Sequence, residues 1–183
     1  MKRLPDLDPE KLSAEQRAAI EEAAGGLRGR MPAQMAGWIS SPVMAARAQK
    51  LGEFLRYETQ LGPRLSELAI LVTARHWTSQ YEWHVHARIG REAGLEDAVL
   101  AAISERRVPE FHAEDERVVY EVARSIHERH GLDDALFARA TERLGAQGLS
   151  ELIGLLGYYT LVSMTLNTYG IGVPAGAAEP LAP

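Results

Sequence analysis

The sequence predicts an all-α protein, and three observations carry that reading. No stretch alternates apolar and polar residues for long enough to make a half-buried strand. Apolar residues recur at helical spacing instead, as in Leu68, Leu71 and Val72 or Val118, Val119, Val122 and Ile126. Every strong stop is a Gly or a Pro, at intervals that suit helices of ordinary length. The chain has 183 residues, 46% of them hydrophobic and 25% charged, which places it among ordinary globular proteins. It is read as a single domain over 1–183, with a motif core at 63–95, an N-terminal arm at 1–12 and a C-terminal tail at 170–183.

The elements follow from local signals. Residues 1–12 hold Pro5 and Pro9 and make an extended lead-in. Ser13, Ala14, Glu15 and Gln16 spell a capping box, so a helix should run to Ala24 and end at Gly25-Gly26. Residues 27–40 read as a loop or short helix whose Met31, Met35, Trp38 and Ile39 pack on the core or on a neighbouring subunit. Ser41-Pro42 starts a helix that extends to Glu58. Gly62-Pro63 breaks the chain, and Ser66 is the expected N-cap of a helix reaching Trp77. A second capping box, Ser79 to Glu82, opens a helix to Ala93, with Gly94 just past its end. These two helices should form an antiparallel hairpin at the centre of the fold. A short predicted helix covers 96–106, a long amphipathic one 113–130, stopped by Gly131, and another 133–144. Residues 149–169 are strongly apolar, but Glu151, Asn167 and two glycines interrupt them and the flanks offer no anchors, so a core or subunit-interface helix is expected rather than a membrane span. The tail, rich in Gly, Pro and Ala, reads as a surface arm.

Leu65-Ser66-Glu67-Leu68 recurs as Leu149-Ser150-Glu151-Leu152, which suggests a degenerate internal repeat. At that offset Glu82 falls on Leu166 and His86 on Gly170, so only the first unit keeps acid–base residues.

Composition removes several functions. There is no cysteine, hence no thiolate nucleophile, zinc thiolate site or dithiol redox pair. A net charge of -5 without a dense basic stripe disfavours nucleic acid. The charged start lacks an apolar signal core, so a cytoplasmic location is expected, with no membrane partner. No phosphate loop and no G-x-S-x-G elbow is present.

The residues that can do chemistry cluster in 65–94. Glu82 and His86 are four apart on one helix and share a face, so the carboxylate can orient the imidazole and make His86 a general acid or base near neutral pH. The same spacing also occurs in pairs that merely support a helix. Glu67 on the preceding helix can approach the pair if the hairpin forms; alone it reads as a first-turn acid. Arg75 lies on an apolar stripe and needs a buried carboxylate, from the protein or from a substrate. Trp77 and Tyr81 can wall a pocket. His84 and His86 point to opposite sides of a helix and cannot share a metal. Glu82 and His86 joined by His76 or Glu67 are a conceivable metal set, yet no HExxH motif supports it, and no metal or other cofactor is expected. His112, His127 and His130 sit on polar segments and read as solvated.

Residues 63–71, then Tyr81-Glu82-Trp83 with His86, then Gly94-Leu95, resemble the carboxymuconolactone decarboxylase family, which shares the all-helical AhpD-like fold. The stretch from Gly157-Tyr158-Tyr159 through Asn167 to Val173-Pro174 is similar to the C-terminal part of longer members. In the redox branch of that family a glutamate precedes a CxxC pair and a histidine. Glu67 and His86 fit the glutamate and histidine, while the cysteine positions fall on Ser79 and Glu82, which excludes a two-thiol peroxidase mechanism. The resemblance therefore implies the decarboxylase-type branch: a cofactor-free lyase or isomerase acting on a small carboxylated lactone or related acid. His86, Glu82 and Glu67 would be catalytic, and Arg75, Trp77 and Tyr81 would bind substrate. It also implies a homo-oligomer, as dimer, trimer or hexamer. The alternative is a non-catalytic small-molecule-binding or assembly protein of the same fold.

Overall fold

The computed structural model describes residues 3–4, 7–25 and 29–183. Pro5 and Asp6 in the N-terminal arm, and the Gly26 half of the first stop, lie outside the described residues. Among those described the protein is all-α, with eight helices and no strand: α1 (Ala14–Gly25), α2 (Met35–Trp38), α3 (Pro42–Tyr57), α4 (Gly62–His76), α5 (Gln80–Glu92), α6 (Asp97–Ser104), α7 (Glu114–Arg129) and α8 (Asp134–Tyr169).

The fold is built around α4. Every residue from Leu65 to Arg75 is buried, polar ones included. A helix covered on all sides must be central, and α4 packs against α5, α7 and α8, with α3 and α6 beside it. Arg64 ties its first turn to the start of α7 through Asp115 (2.9 Å) and Glu116. The helix begins earlier than the sequence suggested. Gly62 turns the chain at φ +70°, and Pro63 sits in the first turn, where its missing N–H costs nothing. Ser66 is therefore inside the helix, buried, with a hydroxyl that has no hydrogen-bond partner.

Capping differs among the predicted starts. Ser13 and Gln16 exchange both bonds of a capping box, at 3.2 and 2.8 Å. Ser41 and Ser79 make no side-chain cap bond. At the start of α5 the Gln80 side chain instead holds the C-terminal tail: Gln80 Nε2 donates to the Leu181 carbonyl at 2.8 Å, and Leu181 N–H donates back to Gln80 Oε1 at 3.0 Å. Leu181 is buried, so the tail is a clasp at its end rather than a free arm.

Four helix ends share one geometry. After α4, α5, α6 and α8 the chain turns through a left-handed residue, and the next N–H bonds five residues back: Ser79 to Ala74, Leu95 to Gly90, Arg107 to Ala102 and Ile171 to Leu166, at 2.8–2.9 Å. Gly94 and Gly170 supply the turn in two cases; Thr78 (φ +46°) and Arg106 (φ +60°) supply it in the others. His130 (φ +62°), not Gly131, ends α7.

The two predicted helices at 133–144 and 149–169 are joined into α8 across a kink at Gly145 (φ +72°, ψ +169°). By length and hydropathy α8 could cross a membrane, but most of its apolar window is buried inside the chain, as in a core helix. Trp38 and Leu149, Leu152, Leu155, Leu156, Val162 and Leu166 are likewise covered by the chain's own helices, so they offer no subunit face. Gly52 on α3 has ordinary backbone but no room: a Cβ there would stand 2.1 Å from Tyr158 Oη. Exposed apolar side chains cluster instead on α3, at Val43, Met44, Leu51 and Phe54.

Candidate active site

The hairpin of α4 and α5 is antiparallel and turns within Trp77 to Ser79, which lays the two helices side by side. Glu67 and His86 meet across it. His86 Nδ1 lies 2.6 Å from Glu67 Oε2, and His86 Nε2 lies 3.4 Å from Glu82 Oε2. All three residues are at most 4% exposed. The ring is also met edge-on by Tyr159 from α8, with centroids 5.3 Å apart.

Burial alone would push the imidazole to low pKa. Glu67, by charge and hydrogen bond, and then Glu82 reverse this and hold His86 up at about 9. At neutral pH both ring nitrogens therefore carry protons, and His86 is an acid rather than a base. The bond roles also differ from the helix-spacing argument: the close orienting carboxylate is Glu67 across the hairpin, while Glu82, one turn away, is beyond a good hydrogen bond.

Glu82 and His86 open onto a cavity of about 200 Å³; Glu67 stands behind them and does not line it. This is below the usual volume of a drug-sized cleft, ~300–1,000 Å³, and suits a small metabolite. Tyr81 and Tyr159 form part of the wall, and Arg30, Arg56 and Arg88 bring positive charge to it. Arg88 is already paired with Glu92 at 2.5 Å, and Arg56 lies over the Tyr57 ring.

The structure separates the remaining predicted site residues from this pocket. Arg75 and Trp77 do not line it. Arg75 instead borders a different cavity with Val72, Ile103 and Tyr120, on the side of α4 that faces α6 and α7. Glu67 and Arg75 are eight residues apart, which puts them about 80° apart around the helix and ~12 Å apart along it. Among the described residues no carboxylate pairs with Arg75: its guanidinium donates to Thr78 Oγ1 at 3.0 Å. His127 is not solvated either. It is half-buried, bonded to Thr73 Oγ1 at 2.9 Å and stacked on His76 at 4.6 Å.

The arginines and Tyr159 of the acid–base pocket were missed. Arg88 follows Tyr81 and Val85 at helical spacing and could have been placed on that face; Arg30 and Arg56 carry no local signal. A larger cavity, about 400 Å³ between α7 and the start of α8, is lined by Glu121, Glu128 and Asp133 together with Arg117, Arg124 and Arg139, without a histidine. Among the described residues no three His, Cys, Asp or Glu side chains are arranged to hold a metal ion.

No protein-family model matches the chain, and no curated protein matches it significantly.

Proposed function

We propose that the protein is a cofactor-independent lyase or isomerase of the carboxymuconolactone decarboxylase kind, acting on a small carboxylated lactone or related acid. The observation that carries this reading is a buried histidine, bonded to Glu67 through Nδ1, that lines a small cavity together with Glu82. Decarboxylation breaks the carbon–carboxylate bond and moves its electron pair into a neighbouring carbonyl as an enolate, while CO₂ leaves. The lactone or keto carbonyl of the substrate supplies that sink, so the protein must stabilise the enolate and return one proton to carbon. His86 Nε2–H serves both needs, because its contact to Glu82 is long enough to be given up. Water then restores the proton. Arg30, Arg56 and Arg88 attract the anionic substrate, and Tyr81 and Tyr159 shape its seat. Glu82, the one carboxylate in the wall, is placed to take a proton in an isomerase variant of the same chemistry.

The wider setting belongs to the same proposal: a cytoplasmic protein of aromatic-acid catabolism, assembled as a homo-oligomer through the apolar stripe of α3. Tyr57, which lines the pocket, follows Phe54 of that stripe by three residues, so a second copy there would stand next to the pocket wall.

The test is CO₂ release from lactone carboxylic acids. His86→Gln, which preserves shape, should lower turnover by about 10²–10⁴-fold with unchanged circular dichroism. Undiminished turnover in that variant would overturn the acid role. Small acids that bind at the arginines but are never turned over would replace the enzyme with a binding protein.

A further inference from the structure

Arg75 is a buried charge without a counter-ion. It is 5% exposed, and its Nε has no hydrogen-bond partner. Its only partner is the neutral hydroxyl of Thr78, and no carboxylate of the described residues lies within ion-pair distance. Burial and the neighbouring Arg106 both push its pKa below the ordinary arginine value. A buried charge left in that state is destabilising unless an anion joins it.

The surroundings are built for one. Arg106 Nη2 reaches the same Thr78 oxygen at 3.2 Å, so two guanidinium groups converge on one hydroxyl. They border a cavity of about 110 Å³ between α4, α6 and α7, with Arg107, Arg124, His76 and His127 also in its wall. Arg107 and Arg124 are already paired, with Glu105 and Glu128, and Glu128 is the acid in the lining. That leaves Arg75 and Arg106 as the two unsatisfied cations.

The backbone agrees. Of the four helix ends with the same left-handed turn, the two that lack glycine are those that place Thr78 and Arg106 here. A left-handed β-branched residue is strained, and such strain persists where the surroundings demand it. His127 adds an acceptor. Thr73 donates its single hydroxyl hydrogen to the Ala69 carbonyl, so His127 Nε2 must be the donor to Thr73 and its Nδ1 carries the lone pair.

We propose that this cavity binds a tetrahedral oxyanion of phosphate size, held by the guanidinium groups of Arg75 and Arg106, which both line it, with Thr78 positioning the two side chains. It shares no lining residue with the acid–base pocket, so it is a second site on the opposite flank of α4.

The probe is inorganic phosphate, titrated at constant ionic strength in chloride buffer while the arginine Nε–Hε signals are followed by NMR. Saturable shifts at Arg75 and Arg106 are expected, with affinity falling at least tenfold in Arg106→Ala. Arg106 is exposed, so that variant should fold; Arg75→Lys, which keeps the charge but loses the planar guanidinium, should also weaken binding. Non-saturable shifts, or equal affinity in both variants, would overturn the proposal. Acetate binding as tightly as phosphate would also overturn it, since the site would then lack selectivity for a tetrahedral ion. Sedimentation covers the remaining source of negative charge. If Arg106→Ala dissociates an oligomer that phosphate leaves intact, the anion is a carboxylate of a second copy and the free-ion site is refuted.

Discussion

His86 and His127 stand on opposite flanks of α4 and have opposite fates. Desolvation pushes both imidazoles down. At His86 two carboxylates overturn that push and raise the pKa to about 9; at His127 burial is reinforced by the neighbouring imidazole of His76, and the pKa falls to about 4. Burial does not set the charge of a histidine; the sign of what is buried with it does. One flank of α4 thus stores a proton and the other stores a lone pair beside unsatisfied arginines.

The largest test of this contrast is alkaline. His86 titrates higher folded than unfolded, where its pKa is about 6.5. Its stabilising contribution is therefore complete below pH 6.5 and is lost as pH rises through 9. At ~1.4 kcal/mol per pH unit across that window, the loss is about 3 kcal/mol. Urea unfolding at pH 6.5 and 9.5 should show it in the wild type and not in His86→Gln. An identical decline in both would mean that His86 is not the group responsible.

A smaller effect of opposite sign is expected on the acid side. His127 titrates lower folded than unfolded, so the unfolded chain takes up the proton first. Stability is retained above pH 6.5 and falls toward pH 4. Since His127 is only partly buried, solvent screening reduces the loss to roughly 1–2 kcal/mol. His76, which faces Arg106, Glu128 and His130, is also pushed down and adds to the same limb. His127→Gln should flatten the decline; an unchanged acid limb would show that the stacked pair does not control it.

The smallest effect concerns Thr78. Replacing it with glycine removes left-handed strain of about 1 kcal/mol and removes the hydroxyl shared by Arg75 and Arg106. Thr78→Gly should therefore melt slightly higher and bind phosphate more weakly. A lower melting temperature would mean that the hydroxyl contributes more than the strain opposes.

The all-α character was legible because helix faces and Gly/Pro stops are local signals. The hairpin was legible for the same reason: its break at 77–79 lies between two amphipathic runs. Ser66 misled because a serine before an apolar run looks like a cap, whereas Pro63 three residues earlier was the stronger start. Arg75 was placed beside Glu67 by sequence proximity, although eight residues already set them ~12 Å apart along the helix. His127 was missed despite following Tyr120 and Ala123 at helical spacing, because its neighbours in sequence are polar. The pocket arginines were hidden for a different reason: Arg30, Arg56 and Arg88 come from three distant segments, and only tertiary packing assembles them. The apolar face of α3, with Leu51, Phe54 and Leu55 after Val43 or Met44, was legible from helical spacing, but not that all of these except Leu55 stay exposed, because the apolar excess was sought in 149–166 and around Trp38, where the chain buries it itself.

Gly145 constrains the chain's evolutionary freedom. At φ +72° and ψ +169° it occupies a region that is open essentially to glycine alone. Yet a Cβ there would meet nothing within 4 Å. A saturation library at this position should therefore reject side chains by backbone torsion and not by bulk, so alanine should be nearly as unwelcome as leucine. At Gly52 the barrier is the Tyr158 ring, and a shortened residue at 158 could lift it. No second-site change in side-chain volume could do the same at Gly145. Its compensating mutations would have to reshape the path of α8, which makes this glycine the harder of the two to exchange by stepwise substitution.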